Sequence, residues 1–151
     1  MTAAPIHDPA PPIPALRVDV WSAATPGDLW RRCRDLLARG DDWGRAVAVG
    51  YYARRSGLSS EYLATIGPAD LPRVRDDAAR LLIWARCLET RQLEHLTRLA
   101  VCRVEDYWRA EDDGRVEDAA AILSEVLSAR VVLDAAGASD RLDAILSHIL
   151  M

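Results

Sequence analysis

Between Leu71 and Glu111 apolar side chains recur at helical spacing and keep phase: Leu71, Val74, Ala78, Leu81, Leu82, Ala85, Leu88, Leu93, Leu96, Leu99, Ala100, Val104 and Tyr107. Such a stripe predicts one helix over 71–111, since a strand would alternate with a period of two. The opposite side carries Asp76, Arg80, Arg91, Glu94, Arg98, Glu105 and Arg109, with opposite charges three or four residues apart, as a solvated helix face prefers. Trp84, Val101 and Trp108 sit between the two faces, with Ile83, Cys87 and Cys102. These apolar flanks call for neighbours on more than one side. Glu89, Gln92 and Arg103 interrupt the stripe. A buried charge there needs a partner, Glu89 an arginine of another helix and Arg103 a carboxylate, or the three form a polar layer that fixes the register of a bundle.

The rest of the chain reads as shorter helices around this one. Thr25-Pro26-Gly27-Asp28 is a helix start, with Thr25 as N-cap and Pro26 at the first helical position. Leu29, Cys33, Leu36 and Leu37 would face inward, and Gly40 would end the helix. Asp41 or Asp42 would cap a second helix from Trp43 to Ser56, apolar nearly all round, in which Gly50 allows a neighbour to approach closely. A short helix over 60–66 would stop at Gly67-Pro68, with Asp70 then capping the long helix. After Asp112-Asp113-Gly114 a second long helix is expected over 115–136, with Val116, Ala119, Ala120, Leu123, Val126, Leu127, Val131 and Leu133 as its stripe and Gly137 closing it. So tight a turn makes the two long helices antiparallel neighbours. Ser139 would cap a final amphipathic helix bearing Leu142, Ile145, Leu146, Ile149 and Leu150.

The expected fold is therefore all-α: a helical bundle built on an antiparallel pair of long helices, with shorter N-terminal helices. Residues 1–22 read as an extended Pro-rich arm, carrying Pro5, Pro9, Pro11, Pro12 and Pro14, and 23–151 as one helical domain. A chain of 151 residues with 28% charged and 50% hydrophobic side chains can bury a core without metal or disulfide. All 19 basic residues are arginine, and Lys, Asn and Phe are absent. Their codons are AT-rich, which points to a GC-rich bacterial or phage genome. No secretory signal opens the chain and no apolar run reaches membrane-spanning length, so a cytoplasmic protein is expected. Cys33, Cys87 and Cys102 would then be buried free thiols. On one helix Cys87 and Cys102 would stand about 22 Å apart and could not bridge.

Charge is unevenly placed on a chain of net charge −4. Residues 45–75 hold Arg45, Arg54, Arg55, Arg73 and Arg75 against Glu61 and Asp70. Residues 105–118 hold Glu105, Asp106, Glu111, Asp112, Asp113, Glu117 and Asp118 against Arg109 and Arg115, which reads as a solvated turn or a dock for a basic partner. Within 49–68, small Ala53, Gly57 at a turn, and Leu58, Leu63 and Ile66 at inner positions match a tight helical corner. This pattern resembles the helix-turn-helix DNA-binding motif. The resemblance implies that Ser59, Ser60, Tyr62 and Thr65, with Glu61, face the major groove and that Arg54, Arg55, Arg73 and Arg75 contact phosphates. The second helix departs from the motif in holding no Arg, Lys, Asn or Gln, the side chains that read base edges best.

Catalytic and metal signatures are missing. His7, His95 and His148 are scattered, and the sequence has no HExxH, EF-hand loop, P-loop, GxGxxG or Gly-x-Ser-x-Gly. No cofactor and no metal are expected. The reading is a non-enzymatic helical adaptor or assembly subunit, binding a protein partner or further copies of itself. Leu16, Val18, Val20 and Trp21 of the arm and Trp84, Val101 and Trp108 of the helix flanks would make the contacts. A helix-turn-helix transcriptional regulator dimerised through its long helices, which would make nucleic acid the partner, is the alternative.

Overall fold

In the structure, a computed structural model that describes Val18 and residues 25–39, 41–55 and 85–150, Thr25 opens the first helix by accepting the Asp28 amide on its hydroxyl at 3.2 Å. Helix α1 runs Pro26–Arg39 and buries Leu29 and Cys33. Asp41 caps the second helix by accepting the Gly44 amide at 2.7 Å, and α2 spans Asp42–Arg55. Its nine buried residues include Trp43, Val47, Gly50 and Tyr51, so it is enclosed on nearly every side, as its composition required. Then come α3, Thr90–Asp112, α4, Val116–Ala135, and α5, Asp140–Leu150. These five elements make the described residues an all-α bundle, with no strand among them.

Two glycines set the turns. Gly114 and Gly137 both adopt φ +71°, where a Cβ would be strained. Each ends a helix in a Schellman motif: Arg115 N–H bonds the Ala110 carbonyl at 2.8 Å after α3, and Ala138 N–H bonds the Leu133 carbonyl at 2.8 Å after α4. The first turn is so short that α3 and α4 lie antiparallel.

The expected helix over 71–111 is not continuous. Ala85 and Arg86 are helical, the chain turns at Cys87, and α3 begins afresh at Thr90. Gln92 Oε1 accepts the Glu89 amide at 2.9 Å, half of a capping box that starts a helix at this point. Residues 71–84 lie outside the described residues. Leu88 and Leu93 on either side of the break both pack against the core, which is why the stripe keeps phase across it. Glu89 is exposed and serves as a cap, so it is not the buried partner of an arginine. Cys87 and Cys102 are exposed and belong to different segments, which corrects the expectation of three buried thiols. Cys33 alone is buried; it donates to the Ala48 carbonyl at 3.4 Å, and burial pushes its thiol up to about 12.

The element with the most extensive contacts is α4, which takes α2 on one side and α3 on the other. Its buried surface is accordingly wider than the expected stripe. Of that stripe Ala119, Val126 and Leu133 are buried and Leu123, Leu127 and Val131 pack against the core, while Val116 is 72% exposed and Ala120 is exposed; Ala121, Ile122, Glu125, Ser128, Ala129, Val132 and Ala135 are buried beside it. A helix covered from two sides presents no single apolar face, so a one-stripe reading finds one buried face and misses the other. The α2–α4 approach is close enough that an ideal Cβ on Gly50 would fall 1.6 Å from the Ser128 carbonyl oxygen.

Candidate functional site

At the centre of the bundle lies a charged cluster drawn from three helices. Glu125 of α4 is fully buried. Trp43 of α2 donates its indole N–H to Glu125 Oε1 at 2.5 Å, and Arg103 of α3 donates to Glu125 Oε2 at 3.0 Å. Arg103 also bonds Asp106 Oδ2 at 2.6 Å, while its Nε is buried without a hydrogen-bond partner. Burial would loosen the Arg103 proton; the bonds and charges of Glu125 and Asp106 outweigh it and hold the guanidinium above its ordinary value. Arg103 is therefore paired with carboxylates, as its place in the apolar stripe demanded. Glu125 itself was missed. It is the one acid between Asp118 and Asp134, but Ser124, Ser128 and Arg130 share that stretch, so nothing in the sequence set it apart.

Further polar contacts bind helices together. Arg54, at the end of α2, donates to the Ser124 carbonyl and to Ser128 Oγ of α4, each at 3.0 Å. Ser139, at the start of α5, shares its hydroxyl between Asp143 Oδ2 at 2.9 Å and Asp134 Oδ1 at 3.3 Å instead of capping an amide. Arg130 of α4 bonds both oxygens of Asp143, at 2.5 and 3.2 Å, and this bond holds the Asp143 carboxyl below its ordinary value. A depressed carboxyl stabilises the fold above the ordinary carboxylate range and loses that contribution as pH falls. Asp143→Asn is accordingly expected to lower the urea midpoint near neutral pH, by under about 1 kcal/mol for so exposed a pair. The gap to the parent should close as pH falls through and below the ordinary carboxylate range; a gap constant with pH would contradict the pairing.

The surface expected to meet a partner is only partly described. Trp108 is 43% exposed, Val101 is half-buried, and Val18 is wholly buried in the chain's own core. Leu16, Val20, Trp21 and Trp84 lie outside the described residues. On α3 Trp108 stands three residues after Glu105 and four before Asp112, spacings that make them neighbours on the helix surface. Both acids are exposed and have no ion-pair partner among the described residues. Nearby, the Tyr107 hydroxyl donates to Glu111 at 2.9 Å, which raises the phenol's pKa. The turn end of the α3–α4 hairpin thus exposes Trp108 and Val116 together with Glu105 and Asp112.

Of the expected DNA contacts, Arg54 and Arg55 are exposed at the end of α2, with Arg54 bonded to α4 as above. Ser59, Ser60, Tyr62, Thr65, Arg73 and Arg75 lie outside the described residues, as does most of the 49–68 corner. Among the described residues no cluster of His, Cys, Asp and Glu could hold a metal ion, and no helix is long and apolar enough to cross a membrane. Compared with known proteins, the chain matches no family model, and no curated protein or solved structure shows significant similarity to it.

Proposed function

We propose that this chain is a non-enzymatic helical adaptor or assembly subunit whose contact surface is the turn end of the α3–α4 hairpin. The observation that carries the reading is Trp108, 43% exposed on a helix whose other large apolar side chains are at least half covered. An exposed indole is the side chain most often responsible for binding energy at protein interfaces, because it buries a large rigid area at low entropic cost. Val116, 72% exposed at the start of α4, adds apolar area at the same end of the hairpin. The strongest buried interactions, those of Glu125 and Arg103, join helices to one another and involve neither Trp108 nor Val116.

Light scattering of the native chain, alone and after co-purification from its own cells, tests the reading. The expected result is a complex heavier than one chain, weakened about tenfold or more by Trp108→Ala at unchanged helicity. A species of one-chain mass in both preparations, or a complex indifferent to Trp108→Ala, would contradict it. The helix-turn-helix alternative has no specific observation in its favour: Ser59, Ser60, Tyr62, Thr65, Arg73 and Arg75 lie outside the described residues.

A further inference from the structure

The other end of the hairpin holds a groove of about 610 Å³, where the first turns of α3 face the Ala136–Ala138 turn and the start of α5. Its volume lies in the range of small-molecule sites. Leu93, Ala136 and Ala138 supply apolar lining, and Gly137 adds backbone without a side chain. A Cβ at Gly137 would meet nothing within 4 Å, so the space beside this turn is open.

The charges around the groove are unbalanced. Arg98 from α3 and Arg141 from α5 both line it, against Glu94 alone. Neither arginine has an ion-pair partner among the described residues, whereas Arg103, Arg109, Arg115 and Arg130 each hold a carboxylate. On the α4–α5 side Asp143 is used by Arg130 and Ser139, and Asp134 by Ser139; Asp140, next to Arg141 in sequence, is exposed, does not line the groove and forms no ion pair among the described residues. Two guanidinium groups facing one carboxylate leave one positive charge over an apolar floor. We infer that this groove binds a small organic carboxylate, its acid group held between Arg98 and Arg141 and its apolar body lying on Leu93 and Ala138. Guanidinium–carboxylate bonds supply direction and charge, and the floor favours a ligand with an apolar body over acetate or chloride.

The inference is independent of the protein-contact reading, because the groove lies at the opposite end of the hairpin from Trp108. Backbone amide shifts of the intact chain, titrated with phenylacetate to about 20 mM, test it. Phenethylamine serves as the charge-reversed analogue and sodium chloride as the ionic-strength control. Saturable shifts at Thr97, Arg98, Gly137 and Arg141 are expected with phenylacetate alone. Arg98→Gln combined with Arg141→Gln should weaken binding about tenfold. The comparison of acid with amine in the parent protein needs no variant and therefore stands even if the double variant folds poorly. Absence of saturable shifts, an equal response to the amine, or unchanged affinity in a folded double variant would overturn the assignment.

Discussion

Gly50→Ala is expected to cost the fold about 3 kcal/mol, and more if the helices cannot separate. An added Cβ would stand 1.6 Å from the Ser128 carbonyl oxygen and 2.4 Å from its carbon. Those are backbone atoms of a central helix, so no rotamer change relieves the clash. The chain can respond only by moving α2 away from α4, which loosens packing around Val47, Val49 and Val126. Gly44→Ala is the matched comparison. There the nearest atom is Asp41 Oδ1 at 3.2 Å, a side-chain oxygen that can yield, and alanine has the better helix propensity. Urea denaturation of both variants should show a large loss at Gly50 and a change within about 1 kcal/mol at Gly44. Similar small losses at both positions would mean that α2 and α4 do not approach as described.

Arg103→Met carries the second large effect. It leaves the Glu125 carboxyl, with no exposure to solvent, bonded to the Trp43 indole alone among the described residues. Removing one member of a buried ion pair costs about 3–5 kcal/mol, because the partner left behind is desolvated without compensation. The loss should be visible as a lower urea midpoint with an unchanged slope. Asp106, which is only half-buried, can regain water and adds little to the cost. A loss below about 1 kcal/mol would show that Glu125 finds water or another cation.

What the amino-acid order made legible was mostly local chemistry. Thr25 and Asp41 as caps, Gly114 and Gly137 as left-handed turns, and Gly50 as a point of close approach all depend on a few neighbouring atoms. The break before Thr90 was harder, because the leucines on both sides reach the same core. Its signal was present in Glu89 and Gln92, polar interruptions that turn out to be a cap and not a buried layer. The burial pattern of α4 was only half legible: Ala119, Val126 and Leu133 of the expected stripe are buried, but the second covered face, with Glu125, Ser128 and Val132, is selected by tertiary packing alone. For the same reason Arg103 was recognisable as needing a carboxylate, while Glu125 could not be singled out until α4 was placed. At the surface, Trp108 was marked by its flank position, whereas the groove between Arg98 and Arg141 joins segments some forty residues apart that no spacing rule connects.

That three helices meet on one buried carboxylate is tested most directly by a double-mutant cycle between Arg103→Met and Glu125→Leu. If the two side chains are bonded as described, the double variant should be less damaged than the summed single losses by about 2 kcal/mol or more, with part of the cost retained because the Trp43 indole loses its acceptor. Losses that add to within about 0.5 kcal/mol would show that Arg103 and Glu125 do not meet.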